Sequence, residues 1–174
     1  GVSRGLGDVY KRQNSYHPDT EVECLLNPGV FQFREMTWLV VRVAERPEQK
    51  EGEISFPIIK NGSVEIVSFS LDDPLLDISD PREPRYNGVT YLSTLSHLRL
   101  FNSEDGVHFK DAGWPNLFGK GDLESYGIED CRVASMKDGS FLLTYTATSE
   151  NGYGVGLRRT YDWKTYEKFG MILA

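Results

Sequence analysis

A segment of this chain occurs twice, at positions 57 residues apart. Residues 98–113 align without gaps with residues 155–170, and each copy runs from an apolar strand pattern into a turn. The Ser/Thr and Asp side chains of such a turn can bond its backbone N–H groups, and the aromatic ring can pack back on the strand. Repetition at this spacing favours a β-propeller, and the alternative is a sandwich with two similar hairpins. The shared positions are Ser103, Asp105, Phe109 and Gly113 in the first copy and Thr160, Asp162, Tyr166 and Gly170 in the second.

The rest of the sequence has the pattern of short strands separated by turns. Residues 54–60 and 63–69 flank Asn61-Gly62, which is a strong hairpin signal. Residues 71–87 contain three prolines, which exclude a central strand and leave no helical face, so they are predicted to run over the surface. Because no stretch shows helical periodicity, the predicted fold class is all-β.

The strand count limits how much of a propeller the chain can form. From about residue 29 to residue 174 the pattern supplies about two to three blades, whereas closed propellers have at least four. We therefore expect residues 14–174 to be the N-terminal portion of a single β-propeller domain, and the chain to be a piece truncated at both ends.

Residues 3–13 differ from everything that follows them. They show no periodicity, no apolar segment of a signal peptide and no cleavage site. Residue for residue, they match the translation of a transposase adapter used to prepare sequencing libraries. We therefore predict that residues 1–13 are not native and that the original start is missing, so localisation cannot be read from this end.

Composition and charge argue against several classes of partner. A net charge of −7 without any Lys/Arg-rich run argues against nucleic acids and anionic membranes. No segment approaches the ~18 apolar residues that a membrane span needs. Cys24 and Cys131 lie far apart with no Cys/His cluster near them, which predicts neither a disulfide framework nor a metal site. Two isolated thiols are typical of a reducing compartment, so the expected protein is soluble and cytoplasmic.

Three ionisable residues crowd into the apolar stretch Gly127-Ile128-Glu129-Asp130-Cys131-Arg132. In a regular strand Asp130 and Arg132 project to one face, and Glu129 projects to the other. One interpretation is a structural ion pair between Asp130 and Arg132. The other is a functional carboxylate that the neighbouring guanidinium keeps ionised unless a ligand or desolvation shifts it.

Four segments together resemble glycoside hydrolase family 130, which contains β-mannoside phosphorylases and β-mannosidases. The resemblance covers roughly residues 25–174, and its most specific part is residues 127–132, where the family usually has Gly-x-Glu-Asp-Pro-Arg. This chain departs from that pattern at Cys131. The other matching segments are Asn27-Pro28-Gly29, residues 40–45, and residues 96–100 with the turn Ser103-x-Asp105-Gly106.

The resemblance implies a five-bladed propeller and an inverting reaction on β-mannoside oligosaccharides. It makes Asp130 the general acid and assigns Asn27, Arg42, Glu129 and Arg132 to substrate binding. It implies no metal and no cofactor, although a phosphorylase would use inorganic phosphate as co-substrate, and it allows a homo-oligomer.

Whether the reaction is phosphorolysis or hydrolysis is left open by these residues. An inverting hydrolase needs a second carboxylate ~6.5–9.5 Å from the acid, and an adjacent Glu129 on a regular strand would face the wrong side. By the resemblance, the residues that decide lie mostly beyond residue 174. The alternative from another functional class is a non-catalytic propeller that binds glycan or protein.

Overall fold

The computed structural model describes residues 15–173 and confirms the all-β class. The described residues contain a 3₁₀ turn at Asp122–Glu124 and no α-helix, so no helix among them could span a membrane. The adapter-like segment lies outside the described residues. The strands are β1 (Thr20–Phe33), β2 (Met36–Pro47), β3 (Glu53–Lys60), β4 (Ser63–Ser70), β5 (Leu76–Asp77), β6 (Arg85–Tyr86), β7 (Val89–Thr90), β8 (Leu95–Ser103), β9 (Lys110–Asp111), β10 (Gly127–Ser135), β11 (Phe141–Ser149), β12 (Gly152–Thr160) and β13 (Glu167–Leu173).

Eight of these strands form two adjoining four-stranded blades. Blade 1 has the order β1-β2-β8-β9, blade 2 has the order β10-β11-β12-β13, and neighbours within each blade are antiparallel. The blades are joined where Gly127, at the start of β10, pairs in parallel with Ser96 of β8. A Cβ on Gly127 would collide with the Ser96 backbone, so this junction needs glycine. The arrangement confirms the partial propeller.

The sequence repeat corresponds to the third strand of each blade. β8 and β12 are offset by the same 57 residues as the repeat, 95 to 152 at their starts and 103 to 160 at their ends. After each strand, the carboxylates of Asp105 and Asp162 accept hydrogen bonds from the amides two and three residues on, at 2.8–2.9 Å. The Ser103 and Thr160 hydroxyls accept a third amide bond at 2.9 and 2.8 Å. The predicted role of the Ser/Thr-x-Asp turn is therefore confirmed.

An insertion of residues 48–94 separates β2 from β8 in blade 1. The predicted hairpin is present as β3–β4, a separate two-stranded sheet, and Asn61 and Gly62 at its tip have φ of 51° and 78°. The proline-rich excursion contains the short strands β5, β6 and β7, which pair with one another. Within the insertion, the rings of Phe69 and Tyr86 stack with their centroids 3.8 Å apart. Tyr91 stacks on Tyr126, which lies in the segment that leads into β10, with the ring centroids 6.0 Å apart.

The hydrophobic core lies between the two blades. Phe31 of β1 stacks on Trp163, which follows β12, with ring centroids 3.8 Å apart, and Trp163 is fully buried. Each large apolar side chain buried in this way contributes about 1.5–3 kcal/mol, so the core holds the blades together. Other buried members of this cluster are Trp38, Val40, Leu98, Leu100, Leu117, Ile128, Phe141, Leu143 and Tyr145.

A buried polar cluster that sequence reasoning missed fastens the 3₁₀ turn to blade 2. Glu124 is fully buried, and its carboxylate accepts hydrogen bonds from Arg158 Nη2 at 2.7 Å, Tyr145 Oη at 2.7 Å and Lys168 Nζ at 2.9 Å. Burial acts to raise the pKa of Glu124, but the Tyr145 hydrogen bond and the Arg158 charge outweigh it and lower the pKa. The ionised carboxylate therefore holds this turn in place.

Candidate active site

Two bulged strands, β1 and β10, bring the predicted site residues together. The pairing of β1 with β2 shifts after Leu26, and Asn27 takes a left-handed backbone with φ of 43°. The pairing of β10 with β11 shifts after Glu129, and Asp130 takes the same conformation with φ of 50°. Asn and Asp tolerate this region better than other non-glycine residues, and a bulge re-aims the side chain that it carries.

Gly29 sets the distance between the two bulges. A Cβ at Gly29 would lie 2.6 Å from the carbonyl oxygen of Cys131 and 2.9 Å from Cγ1 of Val40. No larger residue fits without moving β1 away from β10. At this close approach Asn27 Nδ2 donates a hydrogen bond of 3.0 Å to Asp130 Oδ1.

Arg42, on β2, holds two carboxylates with one guanidinium. Its Nη2 lies 2.9 Å from Glu129 Oε1, and its Nη1 lies 3.2 Å from Asp130 Oδ1. The side chains of Arg42 and Glu129 are 18% and 14% exposed, whereas that of Asp130 is 35% exposed. Asp130 is therefore the carboxylate of this cluster that a ligand reaches most easily.

The expected alternation of side chains along β10 is wrong, and the bulge is the reason. A regular strand would place Glu129 on the face opposite Asp130, but both carboxylates contact Arg42. No Asp130–Arg132 ion pair forms between these described residues. Instead, Arg132 Nη1 donates to the carbonyl oxygens of Cys131 at 2.9 Å and Asn27 at 3.4 Å, so Arg132 ties the two bulged backbones together.

The cluster of Arg42, Glu129 and Asp130 carries one negative charge when both carboxylates are ionised. Burial is the largest cause that raises the pKa of Glu129; Arg42 opposes it, and the Asp130 charge adds to it. Glu129, with its raised pKa, can therefore hold a proton in this cluster more readily than an ordinary glutamate does.

Ser96 is a site residue that the sequence analysis did not single out. It is fully buried in β8, and its hydroxyl accepts a hydrogen bond of 3.0 Å from Nε of Arg42. The sequence signal for Ser96 was its position in segment 96–100, which matches the family. Arg42 thus has partners on all three of its N–H-bearing nitrogens, which fixes its orientation.

Cys131, the one departure inside the signature, is a fully buried thiol beside Asp130. Burial raises the pKa of Cys131 to about 12, so the thiol stays protonated and does not act as a nucleophile. The substitution therefore leaves the charges of the cluster unchanged.

The chain is similar to known proteins of one family. The model of glycoside hydrolase family 130, described as β-1,4-mannooligosaccharide phosphorylase, matches residues 85–174. The chain is 34% identical over 165 residues to a β-1,2-mannobiose phosphorylase of Listeria innocua, a match that covers 91% of this chain and 46% of that protein.

Solved structures give the same result. The complex of the β-1,2-mannobiose phosphorylase from Listeria innocua with β-1,2-mannobiose matches with a TM-score of 0.82 and 32% identity, over 92% of this chain and 47% of that chain. A putative glycoside hydrolase from Parabacteroides distasonis matches in fold alone, with a TM-score of 0.55 and 20% identity over 84% of this chain and 32% of that chain.

The chain spans about half the length of the Listeria innocua relative. The family model covers more than half of the chain, including the whole of blade 2 and the signature around Asp130. On these grounds the chain belongs to glycoside hydrolase family 130.

Proposed function

We propose that this chain carries the part of an active site that protonates the leaving group in the inverting phosphorolysis of β-mannosides, with Asp130 as the general acid. The observation that carries the proposal is the position of Asp130. Its carboxylate is partly exposed at a bulge, is oriented by Asn27 and Arg42, and shares the Arg42 guanidinium with Glu129. Orientation by two donors, with the other side open, suits a carboxyl group that meets a glycosidic oxygen.

The proposed reaction has two balanced parts. Asp130 donates a proton to the glycosidic oxygen, and the bond between that oxygen and the anomeric carbon breaks as the leaving sugar gains a hydroxyl group. An oxygen of inorganic phosphate attacks the anomeric carbon from the opposite face, which gives mannose 1-phosphate with inverted configuration. Once its oxygen has bonded to the anomeric carbon, hydrogen phosphate gives up its proton, which returns to Asp130, and Glu129, with its raised pKa, can share that proton within the cluster.

Phosphate is proposed as the nucleophile because Glu129 is poorly placed to be a base. Hydrolysis with inversion needs a second carboxylate ~6.5–9.5 Å away, across the sugar ring from the acid. Glu129 binds the same guanidinium as Asp130 and so lies beside the acid. The 34% identical relative is itself named a phosphorylase, which supports the same choice.

We further propose that Asn27, Arg42, Glu129 and Arg132 bind the mannosyl unit whose glycosidic oxygen Asp130 protonates. Amide, guanidinium and carboxylate groups can donate to and accept from the hydroxyls of a mannosyl unit. The proposed reaction needs no metal or cofactor. Residues 15–173 contain no group of three or more His, Cys, Asp or Glu side chains able to hold a metal ion.

We propose a cytoplasmic location because Cys131 is a buried thiol that forms no disulfide. Buried thiols of this kind are typical of proteins in reducing compartments.

Turnover by the protein expressed from the complete open reading frame that encodes this chain tests the proposal. β-1,2- and β-1,4-mannobiose are incubated with and without inorganic phosphate, and mannose 1-phosphate and mannose are measured separately. We expect phosphate-dependent formation of mannose 1-phosphate, and a loss of ~100-fold or more in kcat for Asp130→Asn with the melting temperature nearly unchanged.

The matched control is Asp72→Asn, the same change at an exposed position of the insertion, which should leave kcat unchanged. Phosphate-independent release of mannose would show a hydrolase. A normal kcat in Asp130→Asn would show that Asp130 is not the general acid. A melting temperature that falls together with kcat would instead indicate a structural role for Asp130.

A further inference from the structure

A cleft outside the cluster around Asp130 lies between the insertion and blade 2. Its walls are Glu83, Thr90 and Leu92 on the insertion side, and Glu150 and Tyr153 at the turn between β11 and β12. Its floor is formed where Tyr126 N bonds the carbonyl oxygen of Thr148 at 2.9 Å. No step of the proposed reaction uses these residues.

The cleft adjoins the start of β10, the strand that carries Asp130. Tyr126 immediately precedes β10, and Asp130 lies four residues further along the chain. At about 3.3 Å per residue, the floor of the cleft is roughly 13 Å from the acid. Both lie along the first strand of the same blade, so one short oligosaccharide could contact both.

The chemistry of the cleft suits a sugar ring. Tyr153 is 67% exposed and offers a rigid face with a polar tip, which is the usual amphipathic use of tyrosine at binding sites. Tyr126 is 5% exposed, and its hydroxyl has no hydrogen-bond partner among the described residues. Burial, Tyr91 and the Glu150 charge raise the pKa of Tyr126 to about 12, so this hydroxyl keeps its proton as a donor.

The carboxylates of the cleft supply the complementary acceptors. Glu150 is exposed, and no hydrogen bond to its carboxylate is made by the described residues. Glu83, on the opposite wall, accepts from Arg85 Nη2 at 3.1 Å through one oxygen and keeps further acceptor capacity. A neutral sugar ring can stack on the aromatic face and exchange hydrogen bonds with the buried O–H donor and the two carboxylates. The two carboxylates would repel an anionic ligand.

We propose that this cleft binds a mannosyl unit beyond the cleaved linkage, so the preferred substrates are chains of three or more sugars rather than the disaccharide. The inference rests on the proposed function, since it assigns a subsite for the same substrate. Tyr153 provides the stacking face, and Tyr126 and Glu150 orient the hydroxyls of the ring.

Kinetics of the enzyme from the complete open reading frame test the inference. The ratio of kcat/KM for β-mannotriose to that for β-mannobiose should exceed one, and Tyr153→Ala should lower this ratio by about 10-fold, the effect of losing one good side-chain contact. Tyr126→Phe, which removes only the hydroxyl, should lower it in the same direction. The matched control is Tyr161→Ala, which should leave the ratio unchanged. Tyr161 is also an exposed tyrosine and lies just past the far end of β12.

Binding gives a readout that does not depend on turnover. Mannotriose is titrated calorimetrically into Asp130→Asn and into Asp130→Asn with Tyr153→Ala. About 10-fold weaker binding by the double variant supports the cleft. Equal affinities, or an equal ratio of kcat/KM in wild type and Tyr153→Ala, overturn the inference. Absence of turnover on every mannoside, with Tyr153-dependent binding retained, would refute the proposed function and leave a glycan-binding cleft.

Discussion

Replacing Gly29 with alanine tests whether the approach of β1 to β10 sets the geometry of the site. The new Cβ would lie 2.6 Å from the Cys131 carbonyl oxygen, and ordinary contacts begin at 3.4 Å, so the strands must separate by the difference, about 0.8 Å. Overpacking of this kind costs about 1–3 kcal/mol of unfolding free energy. The same movement would lengthen the 3.0 Å hydrogen bond between Asn27 and Asp130 to about 3.8 Å, which no longer counts as a hydrogen bond.

Because a misplacement of about 1 Å can lower a rate ~100-fold, kcat for β-mannobiose should fall by 10- to 100-fold in Gly29→Ala. Urea unfolding and steady-state turnover of the same preparation measure the two effects. Val30→Ala, at the next position of β1 where the side chain is 58% exposed, is the control and should change stability by less than about 0.5 kcal/mol. A wild-type urea midpoint together with wild-type kcat in Gly29→Ala would refute the reasoning.

Arg42→Lys keeps the positive charge but loses the fork that bridges the carboxylates, so kcat should fall at least ~10-fold, and an unchanged kcat would contradict the bridging role. The carboxylate of Glu124 has its pKa lowered from 4.5 because a tyrosine hydroxyl and a guanidinium outweigh its burial. Its stabilising contribution is therefore present above pH 4.5 and is lost as the pH falls through the lowered value. Between pH 7 and pH 3, the unfolding free energy of Glu124→Gln should fall less steeply than that of the wild type; parallel curves would exclude this role. Since burial raises the pKa of Cys131 to about 12, a thiol reagent should modify Cys24 first in the native protein, and equal rates would contradict its burial.

Local patterns were sufficient to predict much of the fold. The Ser/Thr-x-Asp turns and Asn61-Gly62 determine backbone conformation within a few residues, so their effect is visible in the sequence. The 57-residue offset matches the third strands of the blades, and each of these strands leads into the same type of turn. The insertion was harder to predict, since nothing in the β3–β4 hairpin itself shows whether it continues a blade or forms a separate sheet.

The residues of the site were predicted, but their arrangement was not. Asp130 faces Arg42 because β10 is bulged, and at this bulge it also contacts Asn27 of β1, about 100 residues away in the chain. Alternation along a single strand cannot show a register shift that a neighbouring strand imposes. The contact between Glu124 and Arg158 is also invisible as a local sequence pattern, because it joins the 3₁₀ turn to the third strand of blade 2.

The unequal connections in the two blades have a consequence for the order of folding. In blade 2 each strand pairs with its neighbour in the sequence, whereas blade 1 must bring β2 and β8 together across residues 48–94. Closing a longer loop costs more chain entropy, and non-local pairing is slower. We therefore expect blade 2, with Asp130 on its first strand, to assemble ahead of blade 1. β1 would then dock on a strand that already carries Asp130, so β10 would act as the template on which the contact between Asn27 and Asp130 forms.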